Sequence, residues 1–306
     1  MAFLSHLFEF FRRSIKDPMY AVYFLRNYRP IQTRFPQIAS FFKKRSRWEL
    51  LHEKEGGAVY TRLHVILRST DAVVNVNSSR ALECLGIVTK HDVIRAGAKT
   101  VFEAAAHFSR EQGSDCLKLT IVTDRMSETG RRLYREFARQ ASLECEFVES
   151  APGNAATFRR QIELALEDSD DTLVAIFEDD YACAKDIFIE VYDLFNRTNG
   201  LIGFNPHFHP NLIAVHEPVR LYKLCGKLYQ SVRTTCCTFF IGASDVRKHK
   251  RSFLRYEGWE NASINDVWRR GICLSPCGRT LAEHLHRSDL SPVFMFPPAE
   301  SQTKIP

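Results

Sequence analysis

The chain has 306 residues, 45% hydrophobic and 25% charged, enough for one large α/β domain with an extension and too apolar for wholesale disorder. Its formal net charge of +6 lies in residues 1–60, where 11 Lys and Arg face 5 Asp and Glu; the balanced remainder excludes a nucleic-acid-binding body. Nine cysteines fall in no paired spacing, and no apolar run reaches the roughly 20 residues that span a bilayer, so reduced thiols in a cytoplasm are expected.

Residues 1–58 read as a basic helical extension. Leu4, Leu7, Phe8, Phe11 and Ile15 fall at helical spacing, with Arg12, Arg13 and Lys16 off that stripe. Pro18, Pro30 and Pro36 cut the rest of the extension into short pieces, Lys43-Lys44-Arg45 opens a compact basic run, and Gly56-Gly57 marks a hinge. The apolar run Ala2–Phe11 precedes its arginines, the reverse of a signal peptide. Such a stripe fits an anionic membrane surface, and equally the protein's own core or a second subunit.

From residue 60 the pattern turns to alternating strands and helices. Strands are expected at Leu63–Leu67, Leu117–Thr123, Leu143–Val148 and Thr172–Phe177, and helices at Ser78–Leu85, Thr100–Arg110, Arg131–Ala141 and Ala155–Leu166. This alternation predicts a mostly parallel sheet covered on both faces. Beyond it a helix is expected over Ala182–Arg197, strands at Gly200–Asn205, Leu212–Val215 and Thr235–Ile241, and helices at Ala243–Arg255 and Ile264–Arg270, together a mixed sheet.

The expected strand Thr172–Phe177 is apolar throughout and ends in Glu178-Asp179-Asp180-Tyr181. In open α/β sheets, ligands collect beyond the C-terminal ends of strands. Three adjacent carboxylates there repel one another, and a divalent cation removes that cost. Oxygen-rich sites suit Mg2+ or Mn2+, with positions left open for phosphate oxygens. The alternative is a set of acids at the N-terminus of the helix expected next, where negative charge is favourable. No Gly-x4-Gly-Lys-Ser/Thr, no Gly-x-Gly-x-x-Gly after a strand and no Gly-x-Ser-x-Gly occurs, so kinase, ATPase, dehydrogenase and serine-hydrolase readings lack support. His207, His209 and His216 have no matching carboxylates, and Cys236-Cys237 with Cys273 and Cys277 lack zinc spacing and read as buried thiols.

An acidic triplet closing an apolar strand, after a helix opened by Gly153-Asn154, resembles the metal motif of GT-A glycosyltransferases, with Glu-Asp-Asp in place of the usual Asp-x-Asp. The opening strand with Arg68-Ser69, and Ile121-Val122-Thr123-Asp124 with Ser127, resemble that family's nucleotide-binding strands. His209-Pro210, Arg233-Thr234-Thr235 and Leu281-Ala282-Glu283-His284 resemble, in order and spacing, a bacterial and viral group with a Glu-Asp-Asp-Tyr motif.

The resemblance covers most of residues 62–296. It implies a Rossmann-like GT-A catalytic domain over 59–306, with a donor half at about 59–182 and an acceptor half at about 183–300. It implies a nucleotide-diphosphate sugar as donor, a glycan or lipid-linked acceptor, and Mn2+ or Mg2+ as cofactor. Carried over to this chain, Asp180 is the metal ligand and His284 the late imidazole that completes its shell. Arg68, Ser69, Asp124, Asn154, Glu178 and Asp179 then belong to the donor side, with Asp124 on the nucleotide base. His209 and Arg233 belong to the acceptor cleft, and Asp266 is the base of an inverting transfer, with Glu260 next in line. His286 shares a face with His284 if the segment is a strand.

Two other readings remain. A sugar-phosphate nucleotidyltransferase also uses a nucleotide-binding sheet and metal-holding acids, but usually opens with a glycine-rich loop where this chain has Arg68-Ser69-Thr70-Asp71. A catalytically inactive GT-A-like body bound to membrane or partner would not need the triplet, Asp266 and His284 together. The expected location is cytoplasmic, peripheral on the inner face of a membrane through residues 1–58.

Overall fold

The computed structural model describes residues 51–54, 59–71, 87, 89–208, 220–232, 235, 238–255 and 260–285, except the side chains of 255 and 260–262. The expected amphipathic stripe and basic run, the helix at 78–85, the strand at 212–215, and His209, Arg233, His286 and the Glu260 side chain lie outside the described residues.

In chain order the elements are β1 (His52–Glu53), β2 (Arg62–Ser69), α1 (Lys90–Gln112), β3 (Leu117–Thr123), α2 (Glu128–Ala141), β4 (Glu146–Glu149), α3 (Asn154–Glu167) and β5 (Thr172–Glu178). Next come β6 (Tyr181–Cys183), α4 (Ile187–Arg197), β7 (Thr198–Asn199), β8 (Leu201–Phe204), β9 (Leu221–Leu224), β10 (Lys227–Val232) and β11 (Phe239–Gly242). The described chain closes with α5 (Ala243–Lys248), α6 (Lys250–Arg255), α7 (Glu260–Trp268), β12 (Ile272–Pro276) and β13 (Ala282–His284).

A nine-stranded sheet runs in the order β4-β3-β2-β5-β11-β8-β12-β10-β9. Its first four strands are all parallel, in the order third, second, first, fourth along the chain. That is the Rossmann-like half, built from strand–helix–strand units. Antiparallel β11 joins it to a mixed half, in which β8 and β12 are parallel and the other pairs are antiparallel. The strand–helix alternation gives the parallel half, as expected, and the less regular second half makes the sheet as a whole mixed.

Both faces are covered because the parallel strands are apolar on both. Leu63, Val65, Leu67, Ala175 and Phe177 meet α1, α2 and α4 on one face. Ile66, Val122, Val174 and Ile176 meet α3, α5, α6 and α7 on the other. Each fully buried Leu or Phe contributes about 1.5–3 kcal/mol, so these two layers supply most of the driving force. His52 and Glu53, from the end of the expected extension, pair antiparallel with Asn199 and Thr198.

Several local expectations change: the strand expected at Leu143–Val148 is Glu146–Glu149, the one at Thr235–Ile241 is Phe239–Gly242, the helix expected at Thr100–Arg110 runs over Lys90–Gln112, and the one at Ile264–Arg270 is Glu260–Trp268. The helix expected over Ala182–Arg197 begins only at Ile187, because Tyr181–Cys183 is drawn into an antiparallel ribbon with Ala282–His284. The acids therefore end a strand and enter a turn, and do not decorate a helix N-terminus. The helix expected over Ala243–Arg255 is two short helices broken at His249. The β9–β10 hairpin and β12 have no counterpart among the expected elements. The hairpin turns at Cys225-Gly226, where both residues have positive φ, 50° and 74°, the geometry that matches strand twist in two-residue loops.

Candidate functional site

The C-terminal ends of β2, β3 and β5 meet the β6–β13 ribbon at the acidic turn. A strand sends successive side chains to opposite faces, and the turn keeps this alternation going. Glu178 goes to the α3 face, where it forms an ion pair with Arg68, its register partner on β2. Arg68 also donates to the Asn154 carbonyl at 3.0 Å, so the start of α3 is tied to the same pair. Just upstream, the Gln161 amide of α3 donates to the carbonyls of Ile66 and Phe177, at 2.8 and 2.9 Å.

Asp179 goes to the α1 face and is buried. Its Oδ2 accepts from the Ser69 hydroxyl at 2.6 Å and from the Thr70 N–H at 3.3 Å. Its Oδ1 lies 2.6 Å from Lys90 Nζ, at the first turn of α1. Burial pushes the Asp179 carboxyl above the usual range, and Asp180 adds to this, while Lys90 and Ser69 oppose it. Burial also works against the Lys90 charge, but Asp179, Asp180 and Glu178 outweigh it and raise its pKa.

Asp180 turns to the ribbon. Its carbonyl accepts from Leu285 N–H at 2.7 Å, and its Oδ2 lies 3.1 Å from His284 Nε2. The His284 ring is stacked on Tyr181, centroids 4.7 Å apart and planes 16° apart. His207 Nδ1 lies 3.0 Å from the Ala282 carbonyl, which holds the ribbon on the β8 side. Upstream of the ribbon, Arg279 joins Lys227 and Tyr229 around the buried Glu190 of α4. Burial opposes the Glu190 charge, but Arg279 and Lys227 prevail and hold its pKa low.

The other expected donor residues lie at the same sheet edge. Asp124 is buried, accepting from Gly153 N–H at 2.7 Å and from Arg125 Nε at 2.9 Å. Gly153 and Asn154 open α3, so Asp124 joins the end of β3 to the start of that helix. Asp71, beyond β2, accepts from the Ser127 N–H at 2.8 Å and so leans toward the start of α2.

Asp266 is placed differently. Its Oδ2 accepts from Ser252 of α6 at 2.7 Å and from Arg270 at 2.8 Å. Burial raises its pKa, but Arg270 and Ser252 more than compensate and hold it below the usual carboxylate value. Its neighbour Asn265 instead accepts from Thr235 N–H at 3.4 Å, and Trp268 donates to the Thr235 hydroxyl at 2.8 Å. The bonds around the acidic turn thus unite Arg68, Ser69, Asn154, Glu178, Asp179, Asp180 and His284, and those of Asp266 belong to α6 and α7.

Three participants are not apparent from the sequence motifs: Lys90, Gly97 and Tyr181 as a stacking partner. Gly97 lets α1 lie against the turn, since a Cβ there would stand 2.5 Å from the Asp179 carbonyl oxygen. The signal for Lys90 is present in the sequence. Thr89 and Asp92 form a capping box that fixes the start of α1, which leaves a lysine at the positive end of the helix dipole.

Among the described residues no group of three or more His, Cys, Asp or Glu forms a metal cage. The pair Asp180 and His284, with side chains 17% and 22% exposed, offers one oxygen and one nitrogen donor within reach of a ligand. That set fits a Mg2+ or Mn2+ ion that keeps its other positions for water and phosphate oxygens. A separate cavity of about 560 Å³ is lined by α1, by α2 and by the residues just after α2, including Lys99, Phe102, Phe137 and Leu143, and shares no residue with the turn. No helix of the described residues is long and apolar enough to cross a membrane.

A scan against protein-family models finds no match, and a search of curated proteins finds none. Among solved structures the chain is similar to TarS 1–349 from S. aureus, with a TM-score of 0.46 and 9% identity over 72% of this chain and 59% of that one. It is also similar to mannosyltransferase PcManGT from Pyrobaculum calidifontis, solved with GDP-Man and Mn2+, with a TM-score of 0.35 and 14% identity over 62% of this chain and 48% of that one. A third is a nucleoside-diphosphate-sugar pyrophosphorylase from Vibrio cholerae RC9, with a TM-score of 0.38 and 10% identity over 70% of this chain and 91% of that one. The chain thus spans 59% of the TarS fragment's length, and likenesses of this strength assign neither activity nor ligand to it.

Proposed function

We propose that this chain is a GT-A-type glycosyltransferase that moves a sugar from a nucleotide-diphosphate donor to a glycan or lipid-linked acceptor. The observation that carries the reading is the acidic turn itself. Three carboxylates stand at the C-terminal edge of a parallel sheet, between Arg68 on one face and Lys90 on the other, with His284 brought beside Asp180. A diphosphate with a divalent cation has the charge pattern that such an edge accommodates.

Asp180 and His284 would hold the cation, and Tyr181 would keep the imidazole ring in its plane. Bound there, Mg2+ or Mn2+ would neutralise charge on the departing diphosphate. Glu178 and Asn154 orient Arg68, and Asp124 fixes the opening of α3, which forms the nucleotide side of the edge. Asp266 is the proposed proton acceptor for the acceptor hydroxyl, exchanging the Ser252 hydroxyl for it. Residues 1–58 attach the enzyme to an anionic membrane face on the cytoplasmic side, where a lipid-linked acceptor is presented.

The nucleotidyltransferase reading has less support. That class usually opens with a glycine-rich loop after the first strand, where this chain has Arg68-Ser69-Thr70-Asp71.

A panel of nucleotide sugars with a Mg2+ and Mn2+ series, read as released nucleoside diphosphate, tests the proposal. The wild-type chain is expected to release nucleoside diphosphate from one donor. Asp180→Asn should lose that release with its circular dichroism unchanged, because the change removes ligand charge at a turn and no core volume. Turnover that survives both Asp180→Asn and excess chelator would overturn the metal assignment, and pyrophosphate as the product would favour nucleotidyl transfer.

A further inference from the structure

Lys90 sits where local physics disfavours it. It opens α1, so its charge opposes the positive end of the helix dipole. Its side chain is only 17% exposed, so its ammonium has lost most of its water. It forms an ion pair with Asp179 at 2.6 Å, and the charges of all three acids of the turn act on it. Both oxygens of Asp179 are thereby bonded, Oδ1 to Lys90 and Oδ2 to Ser69 and Thr70.

We propose that Lys90 is a built-in counter-cation of the acidic turn, which holds Asp179 away from the metal and leaves Asp180 and His284 as the protein's two metal donors. The inference rests on the metal reading of Asp180 and His284. Lys90 is a positioning residue: it neutralises Asp179 and fixes the turn, so that the turn keeps its shape before any cation arrives. Ser69 and Gly97 serve the same end, one by its hydroxyl and one by letting α1 approach. A turn balanced in this way admits one divalent cation weakly. With Asp179 free it would bind the cation more tightly, and then release it less readily with the product.

Calorimetric titration of the full chain with Mn2+ alone tests this, and it needs no donor or acceptor. Lys90→Met should tighten Mn2+ binding by about tenfold or more, because it removes a buried positive charge and frees a carboxylate. Lys90→Arg keeps the charge and should stay within about threefold of wild type. Adding Asp179→Asn to Lys90→Met should cancel the gain to within about threefold. Cancellation of the gain by Asp179→Asn separates a freed carboxylate from a damaged fold, and Lys90→Gln repeats the test should the methionine variant fail to fold. Wild-type affinity in Lys90→Met, or a gain that persists in the double variant, overturns the inference alone. If none of these proteins binds Mn2+, the metal assignment of Asp180 and His284 falls, and the inference falls with it.

Discussion

At the scale of residues, the acidic turn works by sorting. Neighbouring carboxylates that would otherwise repel are sent to different partners: Glu178 to Arg68, Asp179 to Lys90 and Ser69, Asp180 to His284. Asp266 poses a different problem, since its present partners are Ser252 and Arg270. A carboxylate held low by Arg270 is ionised at neutral pH, as a proton acceptor must be, though its basicity is reduced. If it takes the acceptor's proton, Asp266→Asn should lower turnover by a factor of order 10² to 10⁴ with nucleotide binding nearly unchanged. Equal losses of nucleotide binding and turnover would instead make Asp266 a support of the α6–α7 contact.

At the scale of elements, the break between α5 and α6 carries a pH dependence. His249 is buried at that break, and its Nε2 has no hydrogen-bond partner among the described residues. Burial, with Lys248 and Arg270 adding to it, lowers its pKa from the ordinary 6.5 to about 4. Above 6.5 the ring is neutral in both folded and unfolded chains, and stability is unaffected. Between 6.5 and about 4 the unfolded chain takes up a proton that the folded chain refuses, so stability falls as pH falls through that window. Thermal melts from about pH 7 to about pH 4 should therefore show a falling midpoint for wild type and a shallower fall for His249→Phe. Matching slopes would assign the acid sensitivity to other groups.

The parallel half was legible in the sequence because its strands are short apolar runs between amphipathic helices. Leu117–Thr123 is found at its expected bounds, and the strand expected over Thr172–Phe177 gains one residue. The elements that were not legible owe their form to distant partners. Tyr181–Cys183 looks helical beside Ile187–Arg197, but it is a strand because Ala282–His284 pairs with it across about a hundred residues of chain. The acidic triplet was visible as a cluster. Its division among Arg68, Lys90 and His284 was not, since no local pattern states which face each acid will take.

At the scale of the molecule, the formal charge surplus resides in residues 1–60, apart from the balanced body. If that arm binds membrane, each Lys or Arg near an anionic surface adds roughly 1 kcal/mol, and the attraction weakens as salt shortens the Debye length. The full chain should float with anionic vesicles at low salt and not at about 1 M salt, where that length is about 3 Å. A chain beginning at Trp48, which keeps Leu51 in the core and β1 paired with β7, should stay with the soluble fraction. Equal flotation of both would remove the arm from the proposal.

The β6–β13 ribbon also bears on the order in which the molecule is made. A ribosome releases β2, β3 and β5 first, and those strands can pair with one another as soon as β5 emerges. The acidic turn then has Arg68 and Lys90 available, but His284 lies 104 residues further on. β11 must also slip between β5 and β8, although β8 is synthesised before it. Contacts of such long range form late, because the intervening chain must first be ordered. During synthesis the nascent chain therefore carries a turn in which Glu178 and Asp179 already have their cations, and Asp180 gains its imidazole partner only when β13 is made.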